Sequence, residues 1–463
     1  MHWLDFQINN NPDEIFIREG NKNHSYLDVY EMVKVYSRAL MKSGIKRNDK
    51  IMICLPSRIE MVETILACFE IGAIAVPISI HMTSHEHKLI MDKIKPSLII
   101  TNWQEKKSFS SCPFLLFCIE ELPNVASGCS IMKNAYEHNN NDICVIILTS
   151  GTTSTPKAVQ LTYGNFEMSC KNWNEFLLFE KQDQFLCCLP LNHIGGLAVI
   201  IRALIYGFSV NLISDFDAIN VNNAIANNPV TIISLVPTML KRILSLDGGL
   251  NSLKSLRYIL LGGGPSPESL LDYCIENHLP IVKVYGMTET CSGTFGLKVL
   301  EEPHNKLYAG RPFSGIKAWI NNGTIHISGD VVMVGYLDEE VINGVHDSND
   351  LGHIDNDLLF LDIRRKDLIV SGGENINPME VEEQLISIDG ILDSAVVGEE
   401  DEEWGQRVIA YVVFETNELN ETLIKNKLIE VLSKHKIPKK IIKVPLIPRN
   451  ELGKIIYGSL NSL

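Results

Sequence analysis

The sequence predicts an α/β protein with a large N-terminal domain of mainly parallel sheets covered by helices, followed by a small α+β C-terminal domain. Three observations lead there. The chain has 463 residues, too many for one ordinary hydrophobic core. Over residues 1–290, short runs rich in Ile, Val and Leu alternate with helix-like segments, the pattern of parallel strands joined by helical crossovers. After about residue 315 the texture changes to short strands with tight turns, and from Asn375 a new helix–strand pattern begins. The division falls in "RRKDL" (364–368), giving domains of 1–364 and 365–463.

"KIMICLPS" (50–57) reads as a buried strand. "RIEMVETILACFEIGAIAVPI" (58–78) then has apolar residues at helical spacing, a Gly stop and another strand. "PSLIITN" (96–102), "DICVIIL" (142–148), "TIISLVP" (231–237), "LRYILLGGG" (256–264) and "PIVKVYG" (280–286) are further strand-like runs. "GGLAVIIRALIYGFSVNLI" (195–213) is broken by Arg202 and Gly207, so it reads as a buried helix and a strand, not a membrane span. In the C-terminal part, "NPMEVEEQLISI", "DSAVVGEED", "RVIAYVVFE" and "ETLIKNKLIEVLSKH" supply two helices and two strands. Sheets of this kind bind ligands beyond the carboxyl ends of their strands.

A net charge of −15 argues against a nucleic-acid partner. It leaves room for small anions held by local Lys, Arg and N–H groups. The 11 cysteines are scattered without a C-x-x-C pair, which suggests neither a disulfide framework nor a zinc site and fits a reducing cytoplasm. The N-terminal "MHWLDFQINNNPDE" lacks the basic and apolar regions of a signal peptide.

Several stretches carry candidate chemistry. "TSGTTSTPKAV" (149–159) places Thr149, Ser150, Gly151, Thr152, Thr153 and Lys157 directly after a strand. Hydroxyls, turn N–H groups and a lysine suit a polyphosphate, although a polar surface loop gives the same letters. It is not a Walker A loop, because Pro156 and Ala158 stand where glycine and a hydroxyl are needed. "KVYGMTET" (283–290) offers a planar Tyr285 able to stack on a flat ring, Thr288 to donate a hydrogen bond and Glu289 as a hard oxygen ligand of the kind Mg²⁺ prefers, although a strand end with a helix cap could supply each letter. "LLGGGPSP" (260–267) puts Gly262, Gly263 and Gly264 after a strand, which a plain turn would also explain.

In this order these stretches resemble the adenylate-forming superfamily of acyl-CoA synthetases, peptide-synthetase adenylation domains and luciferases. The first is similar to that family's [ST]-S-G-[ST]-[ST]-G-x-P-K-G loop, with Ser154 and Ala158 in place of glycines. "KVYGMTET" matches its Y-G-x-T-E motif. "SNDLGHID" (348–355) sits where T-G-D is usual, and "IRRKDLIVSGGENI" (363–376) and "PLIPRNELGKIIYGSL" (445–460) resemble its later motifs.

The resemblance implies ATP, Mg²⁺ and CoA as substrates and cofactor, with a carboxylic acid as the fourth partner. It places Tyr285, Gly286 and the 262–264 glycines at adenine and ribose, together with Asp350 and Arg364. His193 in "PLNHIGGL" would orient the acid, with Gly195 and Gly196 leaving room for it. Lys366 would be the hinge of a mobile C-terminal domain, Gly372, Gly373 and Glu374 the loop facing the thiol, and Lys454 the catalytic lysine. Within the family, the pocket sequence is most similar to ligases of an aromatic acid bearing two carboxylates, and Arg202 is a candidate for the second one. Another aryl or medium-chain acyl-CoA ligase, an enzyme loading a carrier protein, and a non-catalytic nucleotide-binding regulator are the alternatives. Oligomeric state is open, a homo-oligomer included.

Overall fold

The computed structural model describes residues 3–460, except 110–111, 128–135, 150–155, 265, 363–368, 372–373, 402–404, 416–419, 452 and 454. The chain forms two compact units. The first comprises Met1–Trp319, His326–His346 and Asp355–Leu359, and the second Ile320–Ile325, Asp347–Ile354 and Phe360–Leu463. The chain thus passes between the units several times over residues 319–360 before staying in the second.

Among the described residues, the first unit holds a nine-stranded and a seven-stranded sheet. In the nine-stranded sheet, six strands run parallel in the order Ile281–Met287, Tyr258–Leu261, Ile232–Leu235, Gln184–Cys187, Ser209–Leu212 and Ile15–Glu19. Antiparallel strands close its two edges. In the other sheet Leu115–Cys118, Leu98–Thr101, Lys50–Ile53, Ile74–Pro77 and Ile143–Thr149 are parallel. Lys157–Thr162 and then the two-residue strand Gly335–Tyr336 follow antiparallel.

These strands are continuous apolar runs because both faces are covered: every residue of Ile74–Pro77 and Leu98–Thr101 is buried. The mainly parallel, helix-covered architecture is the one expected. Its helices stop where the sequence says. Ile59–Ile71 ends at Gly72 (φ 70°) and Ile194–Tyr206 at Gly207 (φ 76°), left-handed positions that glycine takes without strain. The buried "GGLAVIIRALIYGFSVNLI" segment is this second helix plus the Ser209–Leu212 strand, and among the described residues no helix is long and apolar enough to cross a membrane.

The second unit is α+β. Ile391–Asp401 and Gly405–Phe414 form a long antiparallel pair, extended by Ile369–Ser371, Glu374–Ile376 and Lys440–Lys443. The helices Pro378–Ile386 and Glu421–Val431 cover it through Val381, Leu385, Ile424 and Leu428. Asn377 caps the first helix by accepting from the Met379 N–H, with Pro378 at the first helical position.

Candidate active site

The hydroxyl-rich stretch joins two antiparallel strands. Thr149 ends one, Lys157 begins the next, and the two are paired in register. Ser150, Gly151, Thr152, Thr153 and Ser154 lie outside the described residues. Ala158 is fully buried in the strand, packed with Leu148 and Ile146. It is not among the residues with positive φ, so the glycine usual there is dispensable. The Lys157 Nζ stands 4.5 Å over the Tyr336 ring.

The "KVYGMTET" stretch is a strand, Ile281–Met287, running into a 3₁₀ turn, Thr288–Thr290. Gly286 is required by close approach: a Cβ there would sit 2.1 Å from the Ser292 carbonyl oxygen. Thr290 is fully buried and fixes the turn, its hydroxyl accepting from the Met287 N–H at 3.1 Å and donating to the Ser292 carbonyl at 3.0 Å. Thr288 and Glu289 are left half-buried beyond the strand end. Tyr285 is also half-buried, 5.9 Å from the Phe295 ring. Two residues earlier, burial pushes the Lys283 amine down to about 8, with its Nζ donating to the Lys306 carbonyl at 2.7 Å.

Tyr336 joins the two motifs. Its hydroxyl donates to Glu289 Oε1 at 2.9 Å while its ring lies under Lys157. Burial, and next the Glu289 charge, push that hydroxyl well above its ordinary value, so it stays a donor. Nothing local in the sequence marked Tyr336. It reaches Glu289 and Lys157 only because Gly335–Tyr336 pairs with the Lys157–Thr162 strand.

Glu289 suits Mg²⁺ in the manner of a nucleotide site. Tyr336 engages one oxygen, which leaves Oε2 for a cation. No group of three or more metal-ligating side chains occurs among the described residues. Mg²⁺ held by one carboxylate, substrate phosphates and water matches that donor set.

Gly262 lets its strand lie against Ile281–Met287, since a Cβ would meet Val284 Cγ2 at 2.6 Å. Gly263 has φ 77°, and Gly264 faces open space. His193 is the N-terminal cap residue of the helix Ile194–Tyr206 and is half-buried. The two glycines after it differ. A Cβ at Gly196 would be 2.4 Å from the Leu189 and Pro190 carbonyl oxygens, whereas one at Gly195 meets only the Leu189 side chain, at 3.1 Å. Gly196 is therefore demanded by packing, whereas at Gly195 only a flexible side-chain end stands in the way.

Arg202 is 2% exposed. Its guanidinium lies 4.4 Å over the Trp173 ring and donates to Ser292 Oγ at 2.9 Å, while its Nε has no partner. Burial pushes its pKa down to about 10. No described carboxylate pairs with it, an unusual state for a buried cation.

In the second unit, Asp350 lies in the strand Val345–Asp355. Asn349, where the family has glycine, takes φ 56°, which Asn tolerates better than most residues. This accounts for the departure from T-G-D. Glu374 opens a short strand paired with Ser371. Arg364, Lys366, Gly372, Gly373 and Lys454 lie outside the described residues.

Comparison with known proteins decides the family. The AMP-binding enzyme profile matches residues 4–337, and the AMP-binding enzyme C-terminal domain profile matches 380–454. The chain belongs to the AMP-binding enzyme family. Among its relatives, the 2-succinylbenzoate–CoA ligase of Oceanobacillus iheyensis is 34% identical, covering 99% of this chain and 98% of the relative. That of Bacillus cereus strain Q1 is 32% identical over 100% and 98%. The o-succinylbenzoate CoA synthetase of Bacillus subtilis, solved with its acyl-adenylate intermediate, superposes with a TM-score of 0.89 at 31% identity, over 99% of this chain and 97% of that one. The same enzyme has been solved with ATP and a magnesium ion, with a TM-score of 0.88, 31% identity and 99% of each chain covered. The AMP-binding family assignment and its α/β fold agree with the resemblance read from the motifs.

Proposed function

We propose that this AMP-binding family member is an ATP-dependent acid–thiol ligase that converts 2-succinylbenzoate to 2-succinylbenzoyl-CoA, a step of menaquinone biosynthesis, in the cytoplasm. The observation that carries this reading is likeness over essentially the whole chain to ligases of that name, at 34% identity. Within the first unit, Tyr336 contacts both Glu289 and Lys157, which supports an ATP-handling role for this pair.

The first half-reaction sets a carboxylate oxygen on the α-phosphorus of ATP and expels pyrophosphate. An anion must approach a polyanion, so fixed cations and donors are needed around the phosphates. Lys157 serves the departing pyrophosphate. Lys157 opens a strand, not a helix, so a lysine charge stands in for the helix dipole that assists elsewhere. Thr288 donates to the α-phosphate or the acid, His193 orients the acid, and Glu289 would hold Mg²⁺. That metal would supply positive charge to offset the phosphates. Lys454 bridges the acid and the α-phosphate.

In the second half-reaction the CoA sulfur attacks the acyl carbon, AMP leaves, and the thiol proton is released. A small unit turning about Lys366 would withdraw Lys454 and present the Gly372–Gly373–Glu374 loop. Arg202 receives the ring carboxylate, which supplies the anion its buried guanidinium lacks.

Pyrophosphate exchange over a panel of acids, with and without CoA, tests the reading. Exchange dependent on 2-succinylbenzoate, and a CoA thioester detected by mass spectrometry, are expected. Exchange with another acid alone, or acyl transfer only to a carrier protein, would replace it.

A further inference from the structure

The segment Asp330–Leu337 is tied at both of its sides. The Asn165 side-chain amide donates to the Asp330 carbonyl at 2.7 Å and the Val332 carbonyl at 3.0 Å. Asn165 is itself fixed as the third residue of a capping box with Thr162. Further along, the Met333 N–H donates to the Glu289 carbonyl at 2.8 Å. The Val334 and Leu337 N–H groups donate to the Gln160 and Ala158 carbonyls at 3.1 and 2.8 Å. One short strap thus holds the backbone of the Thr288–Thr290 turn and the strand that Lys157 begins.

Tyr336 projects from this strap with one function for each neighbour. Its hydroxyl meets Glu289 Oε1 at 2.9 Å, and its ring face meets the Lys157 ammonium at 4.5 Å. A carboxylate on a half-exposed turn would otherwise sample several rotamers, and so would a four-carbon lysine stem. Tyr336 removes that freedom from both before ATP arrives. Because its hydroxyl occupies only one carboxylate oxygen, it orients the other without competing for the cation. This is the second-layer arrangement that sharpens metal ligands elsewhere.

We infer that Tyr336 is a positioning residue for the nucleotide site: its hydroxyl aims the Glu289 carboxylate for the ATP-bound cation, and its ring holds the Lys157 ammonium for the phosphates. The inference rests on the proposed ATP chemistry but needs no particular acid. The geometry separates the two roles by chemical group, so two substitutions separate them by experiment. Tyr336→Phe keeps the ring and loses the hydroxyl. Tyr336→Leu loses both.

The test is calorimetric ATP binding to the full chain, without acid or CoA, in Mg²⁺ and again in EDTA, with a thermal melt to confirm folding. Tyr336→Phe should bind ATP in EDTA as the wild type does, yet bind roughly tenfold more weakly in Mg²⁺, the order of one hydrogen bond to a charged group. Tyr336→Leu should lose about threefold more in both buffers, the order of one exposed cation–π contact. Tyr336→Phe matching the wild type in Mg²⁺ would overturn the inference. So would an equal loss in Mg²⁺ and EDTA, since that is what a merely structural tyrosine gives. Should either variant fail to fold, the apparent Mg²⁺ dependence of ATP binding to Asn165→Ala, which loosens the strap without touching either side chain, must fall in the same direction or the inference fails. A wrong acid substrate leaves these outcomes intact, whereas wild-type protein binding no ATP in either buffer would overturn the inference together with the functional reading.

Discussion

Glu63 makes stability depend on pH in a direction that can be worked out from its surroundings. It lies on the helix Ile59–Ile71 and is 5% exposed. Burial, and next the charge of Glu60, push its carboxyl up to about 8 from an ordinary 4.5, with Glu19 adding in the same direction and the Tyr36 hydroxyl opposing. A cavity of about 260 Å³ beside it is also lined by Lys22, His24 and Asp28. Between pH 4.5 and 8 the folded protein therefore holds a proton that the unfolded chain has released. The stability this confers is present in full below 4.5 and is lost as pH rises through 8. The slope approaches about 1.4 kcal/mol per pH unit. Glu63→Gln keeps the shape of the protonated group and cannot ionise. Its stability relative to wild type should rise by about 3 kcal/mol between pH 5.5 and 8. Urea unfolding followed by tryptophan fluorescence, which reports on Trp3, Trp103, Trp173 and Trp319 in the same unit, measures this difference. Glu382 in the second unit, pushed up to about 7 by burial, has the same sign but is common to both proteins and drops out. Parallel profiles for variant and wild type across that range would refute the reasoning.

Gly196→Ala should lose at least tenfold in pyrophosphate exchange and destabilise the protein by about 1–3 kcal/mol, because backbone carbonyls stand in the way; Gly195→Ala, facing a flexible Leu189, should stay near wild type in stability. Arg202→Met should raise the KM for 2-succinylbenzoate at least tenfold while leaving a monocarboxylate such as benzoate unaffected, and should raise the unfolding free energy by about 1–3 kcal/mol, since an unpaired buried charge is removed. Lys454→Ala should slow adenylation by about 10²–10³-fold, yet still make thioester from supplied acyl-AMP; stopped-flow measurement of each half-reaction checks the division.

Features set by local chemistry were legible in the sequence. The apolar runs at 50–57 and 96–102 contain the strands Lys50–Ile53 and Leu98–Thr101, buried but for Lys50, because apolar sequence and burial are two views of one constraint. Gly72 and Gly207 end helices because only glycine takes a left-handed turn cheaply. Thr288 and Glu289 stand beyond a strand end, as the motif implied. What the sequence hid depends on pairing across distance. Tyr336 meets Glu289 and Lys157 through the register of a two-residue strand, and no window of residues reports register. The reason for Gly196 was equally invisible, because it is the approach of the Leu189–Pro190 carbonyls. Asn349 read as a loss of the T-G-D pattern, yet its φ of 56° supplies what the glycine would. Arg202 was legible as a candidate through the family resemblance of the pocket sequence, but its burial against Trp173 and Ser292 was not.

The strand Gly335–Tyr336 is also the rim of the seven-stranded sheet, lying outside Lys157–Thr162. Uncovered, that inner strand would offer a row of open N–H and C=O groups to any passing chain, the template on which proteins aggregate. A cover only two residues long is itself too short to recruit a neighbour. The same strap thus also shields that strand, and loosening it should leave an edge on which other chains can pair.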